Sequence, residues 1–345
     1  MDRTVAVPSV RAEPARLRLT RAWETTTVSE TAFGRLLGLF VLLVIVASAL
    51  GLADGPAAQT FLLIFSSIVV EALPFILVGA LASAAIAVFL PERALGSVAR
   101  LPLALQLPGA ALGGFAFPVC ECGSVPVARR LIARGVHPSA GVTFMLASPI
   151  VNPIVLASTW VAYGGHTRGA EMVAGRASLG LLAAVAAGLA IGRARGAELL
   201  RPRGTAHEHD HEHGSAAFSS HLVSDFVFMG KFIVLGAALS AFVQTVVPQS
   251  VAAKLGGAPV LATLSLMAVA YVLSLCSEAD AFIAASFTSF TPGSQLAFLV
   301  FGPILDMKLT ALYSATFRGW FVPRLLLTTV PVIVVGSLLF GELIK

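Results

Sequence analysis

This chain is short of charge. Only 12% of its 345 residues are Asp, Glu, Lys or Arg, about half the share of a soluble domain. Cysteine is far scarcer still, at three. No Gly-x4-Gly-Lys-Ser/Thr phosphate loop and no dinucleotide fingerprint occurs, so ATP hydrolysis within this chain is not expected. No Cys-x-x-Cys, haem or quinone motif accompanies the cysteines, which argues against a membrane redox enzyme. Alternating segments of about ten residues are also missing, which excludes a membrane barrel. No cofactor and no nucleic-acid partner is expected, and the net charge of +5 reads as a topological signal.

What is present is hydrocarbon. Hydrophobic residues make up 57% of the sequence, and several runs reach the ~20 residues that cross a bilayer core. The fold class expected is an all-α polytopic membrane protein, embedded in lipid. Residues 1–32 form a polar tail, and 33–192 hold a first membrane half. Residues 193–221 form a His-rich loop, and 222–345 a second half. Full spans are expected at about 33–52, 58–90, 139–163, 171–192, 222–247, 294–317 and 321–343. The span at 139–163 is expected to be interrupted at Ser148-Pro149 and Asn152-Pro153.

Two apolar stretches are broken. In the first, Pro118, Gly123 and Pro126 are expected to break the helix around "VCECGS". The second, 259–290, centres on "LCSEADAF". Both read as re-entrant hairpins, whose interrupted backbone is tolerated at membrane depth only inside protein or beside a wet cavity. With the N-terminus inside, 17 Lys and Arg fall in inside segments and three in outside segments. That is the bias expected of cytoplasmic loops.

The chain also repeats itself. "PFILVGALASAAIAVFLP" (74–91) matches "KFIVLGAALSAFVQTVVP" (231–248) at seven of eighteen positions. "VCECGS" then meets "LCSEAD", pairing Cys120 with Cys276, and "SPIVNP" meets "GPILDM", pairing Asn152 with Asp306. The repeat is taken as about 61–163 and 222–318. The span count places the halves in opposite orientations. Inverted repeats with broken helices meeting near the midplane characterise secondary transporters.

The segment "FPVCECGSVPVARRLIARGVHPSAGVTFMLASPIVNPIVLAS" resembles the hallmark segment of YraQ/ArsP-type predicted permeases. "CSEADAF" and "FLVFGPILDMK" resemble that family's second-half motifs. The resemblance covers about residues 61–318. It implies a bacterial inner-membrane permease, and one branch of the family exports trivalent organoarsenicals. The family's first motif resembles Cys-Ser-Cys-Gly; here Glu121 replaces the serine.

The hairpin tips define the candidate solute site. Cys120, Cys122 and Cys276 are soft ligands suited to a thiophilic solute, such as a trivalent arsenical, or to a soft metal ion. Glu121, Glu278 and Asp280 lie at the same tips, and Asn152 and Asp306 at the broken helices. Intramembrane carboxylates face a wet path or a partner; the partners considered are Arg129, Arg130 and Lys308. Asp306 and Lys308, two apart, would not face each other on a regular helix. Glu71, Lys231 and Lys308 are candidates for proton coupling. His207, His209, His211 and His213 in "HEHDHEH" are candidate metal ligands at the cytoplasmic mouth. The expected function is export of a thiophilic solute, driven by protons. The alternative is a channel-like or scaffolding subunit working with a metal-handling partner. One chain is sufficient for the pseudosymmetry, with a homodimer as the other arrangement.

Overall fold

The computed structural model describes residues 55–89, 99–116, 119–192, 196–201, 215–246 and 259–344. The expected first span at 33–52, the polar tail and the four loop histidines lie outside the described residues. From Pro56 onward the chain forms one compact unit.

The described chain is built from helices. In order they are α1 (Pro56–Phe89), α2 (Leu103–Ala116), α3 (Glu121–Ala133), α4 (Pro138–Val151), α5 (Pro153–Ala162), α6 (Thr167–Ile191) and the single turn α7 (Gly196–Leu199). The second half comprises α8 (Ser215–Val246), α9 (Pro259–Leu273), α10 (Asp280–Ser286), α11 (Pro292–Ile304), α12 (Met307–Thr316) and α13 (Phe321–Leu343). Six stretches are long and apolar enough to cross a membrane: α1, α4–α5, α6, α8, α11–α12 and α13. They coincide with six of the seven spans expected from the sequence. The protein is an all-α, multi-pass membrane protein.

Burial sorts these spans into inner and outer. The most apolar windows of α4–α5 and α11–α12 are each 78% buried inside the protein, whereas that of α1 is 17% buried. The two broken spans are therefore the core, and α1 turns Leu63, Val70 and Phe89 outward. Apolar side chains on an outer face are what a lipid solvent demands.

The interruptions have local causes. Asn152 ends α4 and caps α5. Its backbone is extended (ψ 126°) because Pro153 disfavours the helical region for the residue before it, and its side-chain oxygen accepts from the Ile154 amide at 3.0 Å. At the equivalent point Asp306 is also extended and accepts from the Leu309 amide. The expected break at Ser148-Pro149 does not occur, since α4 runs through Pro149. Gly123 and Pro126 likewise lie inside α3 rather than breaking it. Gly123 serves close packing: a Cβ at Gly79 of α1 would lie 2.3 Å from its Cα.

The repeat is visible as geometry. Elements α1 to α6 correspond in order to α8 to α13, with α7 between. Ser83 meets Asp225, and Phe89 meets Phe218, so the late part of α1 lies beside the early part of α8. Those equivalent helices run antiparallel. So do α6 and α13, where Gly175 abuts Phe340 and Leu179 abuts Gly336. Matching elements make matching contacts as well: α2 packs on α4 as α9 packs on α11, and α4 on α6 as α11 on α13. The correspondence therefore extends past the residues in which the sequence repeat is legible, to the last helix of each half.

Candidate functional site

The two hairpin tips come together. Helix α3 begins at Glu121 with Cys120 as its N-cap, and α12 begins at Met307 with Asp306 as its N-cap. These two helices run side by side in the same direction: Glu121 meets Lys308 near their starts, and Arg129 reaches the Thr316 carbonyl near their ends. Two helix N-termini thus converge, and each presents a partial positive charge. Carboxylates answer both, Glu121 in the first turn of α3 and Asp306 at the cap of α12.

Lys308 is the cation at this junction, and it is 3% exposed. Its Nζ lies 3.0 Å from Glu121 Oε1 and 3.5 Å from Asp306 Oδ2. It also donates to the Ser274 and Leu275 carbonyls at 3.1 and 3.2 Å. Those carbonyls belong to the break after α9. There Ser274 holds a left-handed conformation (φ 49°), uncommon for a residue with a side chain. Its hydroxyl accepts from the Met307 amide at 3.2 Å. The expectation that Asp306 and Lys308 cannot meet is therefore corrected. It assumed one regular helix, whereas Asp306 stands outside α12 on extended backbone.

The other Glu121 oxygen accepts from Ser277 Oγ at 3.0 Å, so one carboxylate ties its own hairpin to the second hairpin and to α12. The first hairpin is held from behind by Ser124, whose hydroxyl donates to the Met145 carbonyl at 2.9 Å.

The thiols share this place. A pocket is lined by Glu71 and Phe75 of α1, by Cys120, Glu121 and Cys122, and by Cys276 and Lys308. All three cysteines are buried and free of disulfides. Cys120 caps α3 and Cys122 lies in its first turn, so the two thiols stand at the start of the same helix. Cys276 donates to Glu278 Oε2 at 2.7 Å, and the second Glu278 oxygen is buried without a hydrogen-bond partner. Among the described residues, no three His, Cys, Asp or Glu side chains are arranged to hold a metal ion.

Of the residues singled out from the sequence, Glu71, Cys120, Glu121, Cys122, Cys276 and Lys308 line one pocket. Glu278 adjoins it through Cys276. Asp306 touches it through Lys308. Asn152 is buried as a helix cap and does not line it. Neither does Lys231, which lies on α8.

Asp280 points away into a separate cluster. Both of its oxygens accept from Arg176 of α6, at 2.9 and 2.7 Å. Arg176 is fully buried and also donates to Thr159 Oγ1 and to the Ser277 carbonyl. This ion pair fixes the backbone of the residue whose hydroxyl holds Glu121. Sequence reading missed Arg176, although a lone arginine inside an apolar run is itself a signal that a buried partner exists.

A pocket of thiols between broken, antiparallel half-proteins is an arrangement suited to passing a solute across a bilayer. Comparison with known proteins agrees. Residues 57–342 match the model of the ArsP_1 family, described as predicted permeases. The chain belongs to this family. It is also 40% identical over 282 residues to the UPF0718 protein YcgR of Bacillus subtilis (strain 168), covering 80% of this chain and 95% of that relative. A protein of Streptococcus mutans serotype c (strain ATCC 700610 / UA159), described as a candidate subunit of a two-component membrane permease complex, is 33% identical over 287 residues. That match covers 81% of this chain and 94% of the relative. No solved structure matches significantly. Family membership makes the chain a membrane permease.

Proposed function

We propose that this permease is a secondary transporter that exports a thiophilic solute, with a trivalent arsenical as the first candidate. The observation that carries the reading is the convergence of all three cysteines with the Glu121–Lys308 pair in one buried pocket. Soft sulfur ligands select soft partners. The neighbouring Cys120 and Cys122 suit a solute that accepts two sulfurs, as a singly methylated trivalent arsenical does. Such a dihydroxy arsenical exchanges its two hydroxyls for two thiolates. The two thiol protons leave with the hydroxyls as two waters, so the exchange balances without an oxidant. Cys276 is the third sulfur and already gives its hydrogen to Glu278. That carboxylate is the group to hold a proton when a soft metal ion binds instead.

Export is the direction argued, with the N-terminus and the His-rich loop in the cytoplasm, as the Lys and Arg distribution suggests. Protons are the coupling ion argued, because Glu71 and Glu278 stand at the pocket and intramembrane carboxylates commonly serve proton paths.

The test is efflux from cells or vesicles carrying Cys120→Ser, Cys122→Ser or Cys276→Ser, offered arsenicals and soft metal ions in turn. Each variant is expected to lower export of the true solute at least tenfold. Unchanged export of every solute would remove the thiols from the mechanism.

A second reading has one observation in its favour. The Streptococcus mutans relative is described as a candidate subunit of a two-component complex. This chain would then be the membrane channel of a pair, with a metal-handling partner reading His207, His209, His211 and His213. Deleting residues 205–214 separates the two: transport that survives intact makes the loop accessory.

A further inference from the structure

We propose that Ser83, Arg130 and Asp225 form a gate that closes one end of the thiol pocket. The proposal rests on the transporter reading above but is tested without transport. Asp225 of α8 is buried. Its Oδ2 accepts from Ser83 Oγ of α1 at 2.7 Å and from Arg130 Nη2 of α3 at 2.9 Å. Arg130 Nε donates to Ser83 Oγ at 3.0 Å, which closes the triangle. Two neighbours extend the closure. Arg134 donates to the Ile86 and Ala87 carbonyls near the end of α1, and Arg129 to the Thr316 carbonyl at the end of α12. The pocket touches α1 only from Ile68 to Phe75. Ser83 is twelve residues beyond Glu71, about 18 Å further along the helix. The cluster therefore lies beyond the pocket toward one membrane face and is not part of its wall.

The matching positions in the other half are bonded differently. Ser240, the counterpart of Ser83, donates to the Val272 carbonyl at 2.6 Å, and Gln244 donates to the Val272 and Leu273 carbonyls. These are neutral bonds. The positions matching Asp225 and Arg130 are Ile68 and Ser286, so the charged lock has no counterpart there. Helix packing carries the same asymmetry. Helix α1 packs on α3 and α8 on α12, while the matching pairs α8–α10 and α1–α5 are not closely packed among the described residues. Gly79 accordingly meets Gly123, while its counterpart Gly236 meets the Lys308 backbone. A fold whose two halves correspond but are used unequally has a second arrangement available, in which the α1–α8 pair leans on α5 and α10 instead. Leaving the present arrangement requires Arg130 and Asp225 to part.

The experiment is modification of Cys120, Cys122 and Cys276 by a membrane-impermeant maleimide, applied to either face of sealed, oriented vesicles and read by mass spectrometry. Asp225→Asn and Arg130→Gln are expected to speed labelling from the gate face at least tenfold, with no gain from the other face. The exchanged pair, Arg130→Asp with Asp225→Arg, is expected to restore protection. Ser83→Ala, the mildest change, should give an intermediate rise of a few fold and keeps the test valid if a charge variant fails to fold. Labelling that is unchanged from the gate face, or that rises equally from both, would overturn the proposal. If labelling shifts as expected but vesicles move no thiophilic solute, the gate stands and the substrate reading fails.

Discussion

The ammonium of Lys308 and the carboxylate of Glu121 meet 3.0 Å apart where two parallel helices from opposite halves of the chain begin. Each group alone would be a buried charge, costly to remove from water. Together with the Ser274 and Leu275 carbonyls and the Ser277 hydroxyl they are largely satisfied. Removing one partner strands the other. Lys308→Met is therefore expected to destabilise the protein by about 3–5 kcal/mol. Adding Glu121→Gln to it should cost less than the two single changes summed. Reversible unfolding of the detergent-solubilised protein, run as a double-mutant cycle, measures that coupling.

The Arg176–Asp280 pair should behave as support rather than as solute ligands. Arg176→Met leaves Asp280 buried and unpaired, and about 3–5 kcal/mol of destabilisation is expected. Pairing it with Asp280→Leu removes both charges and should recover a large part of that loss, since apolar replacements of buried ion pairs are often tolerated. Thermal unfolding of both variants checks this. If Asp280 instead bound solute, the double variant would fold normally yet lose transport completely, whereas the support reading expects transport to return with stability.

These two pairs show what the sequence could and could not convey. Six of the seven expected spans, the two interrupted stretches and the repeat were legible because each is a matter of apolar length and order along the chain. The convergence of Cys120, Cys122 and Cys276 was legible through the repeat, which places both tips at matching depths. Partner choice was not. Glu121 had Arg129, Arg130 and Lys308 as candidates, and only the parallel docking of α3 on α12 selects Lys308. Gly123 and Pro126 looked like breakers because composition does not show that α1 lies against that helix. Asp225 passed unnoticed because its partners Ser83 and Arg130 are remote in sequence and have no matching trio in the other half. The match between α6 and α13 carries little residue identity and emerges only from their antiparallel packing.

Gly79 and Gly123 give a graded steric prediction. A Cβ at Gly79 would fall 2.3 Å from the Gly123 Cα, whereas one at Gly123 would fall 3.0 Å from the Gly79 Cα and 3.3 Å from the Phe75 carbonyl oxygen. Both neighbours are backbone and cannot rotate away. Over-packing of this kind costs about 1–3 kcal/mol. Gly79→Ala should lie at or above the upper end and Gly123→Ala below it. Because α1 supplies Glu71 to the pocket wall, Gly79→Ala should also speed maleimide labelling of Cys120 and Cys122. Equal stabilities for the two variants would mean that the helices are not in this close contact.

The two helix caps at the broken spans allow charge to be separated from capping. Asn152 and Asp306 occupy matching positions and do the same local work, each accepting from an amide in the first turn of the next helix. Removing either cap, by Asn152→Ala or Asp306→Ala, should cost about 0.5–2 kcal/mol from the lost bond alone. Asp306 carries more, because its second oxygen faces Lys308 at 3.5 Å. Asp306→Asn keeps the cap and deletes the charge. On this geometry it should be more stable than Asp306→Ala, yet leave Lys308 with Glu121 as its one carboxylate partner in the pocket. Transport should then respond to Asp306→Asn while Asn152→Asp, which adds a charge outside the pocket, should affect stability more than transport. Parallel unfolding and efflux measurements on the four variants decide whether Asp306 belongs to the mechanism or only to the helix it begins.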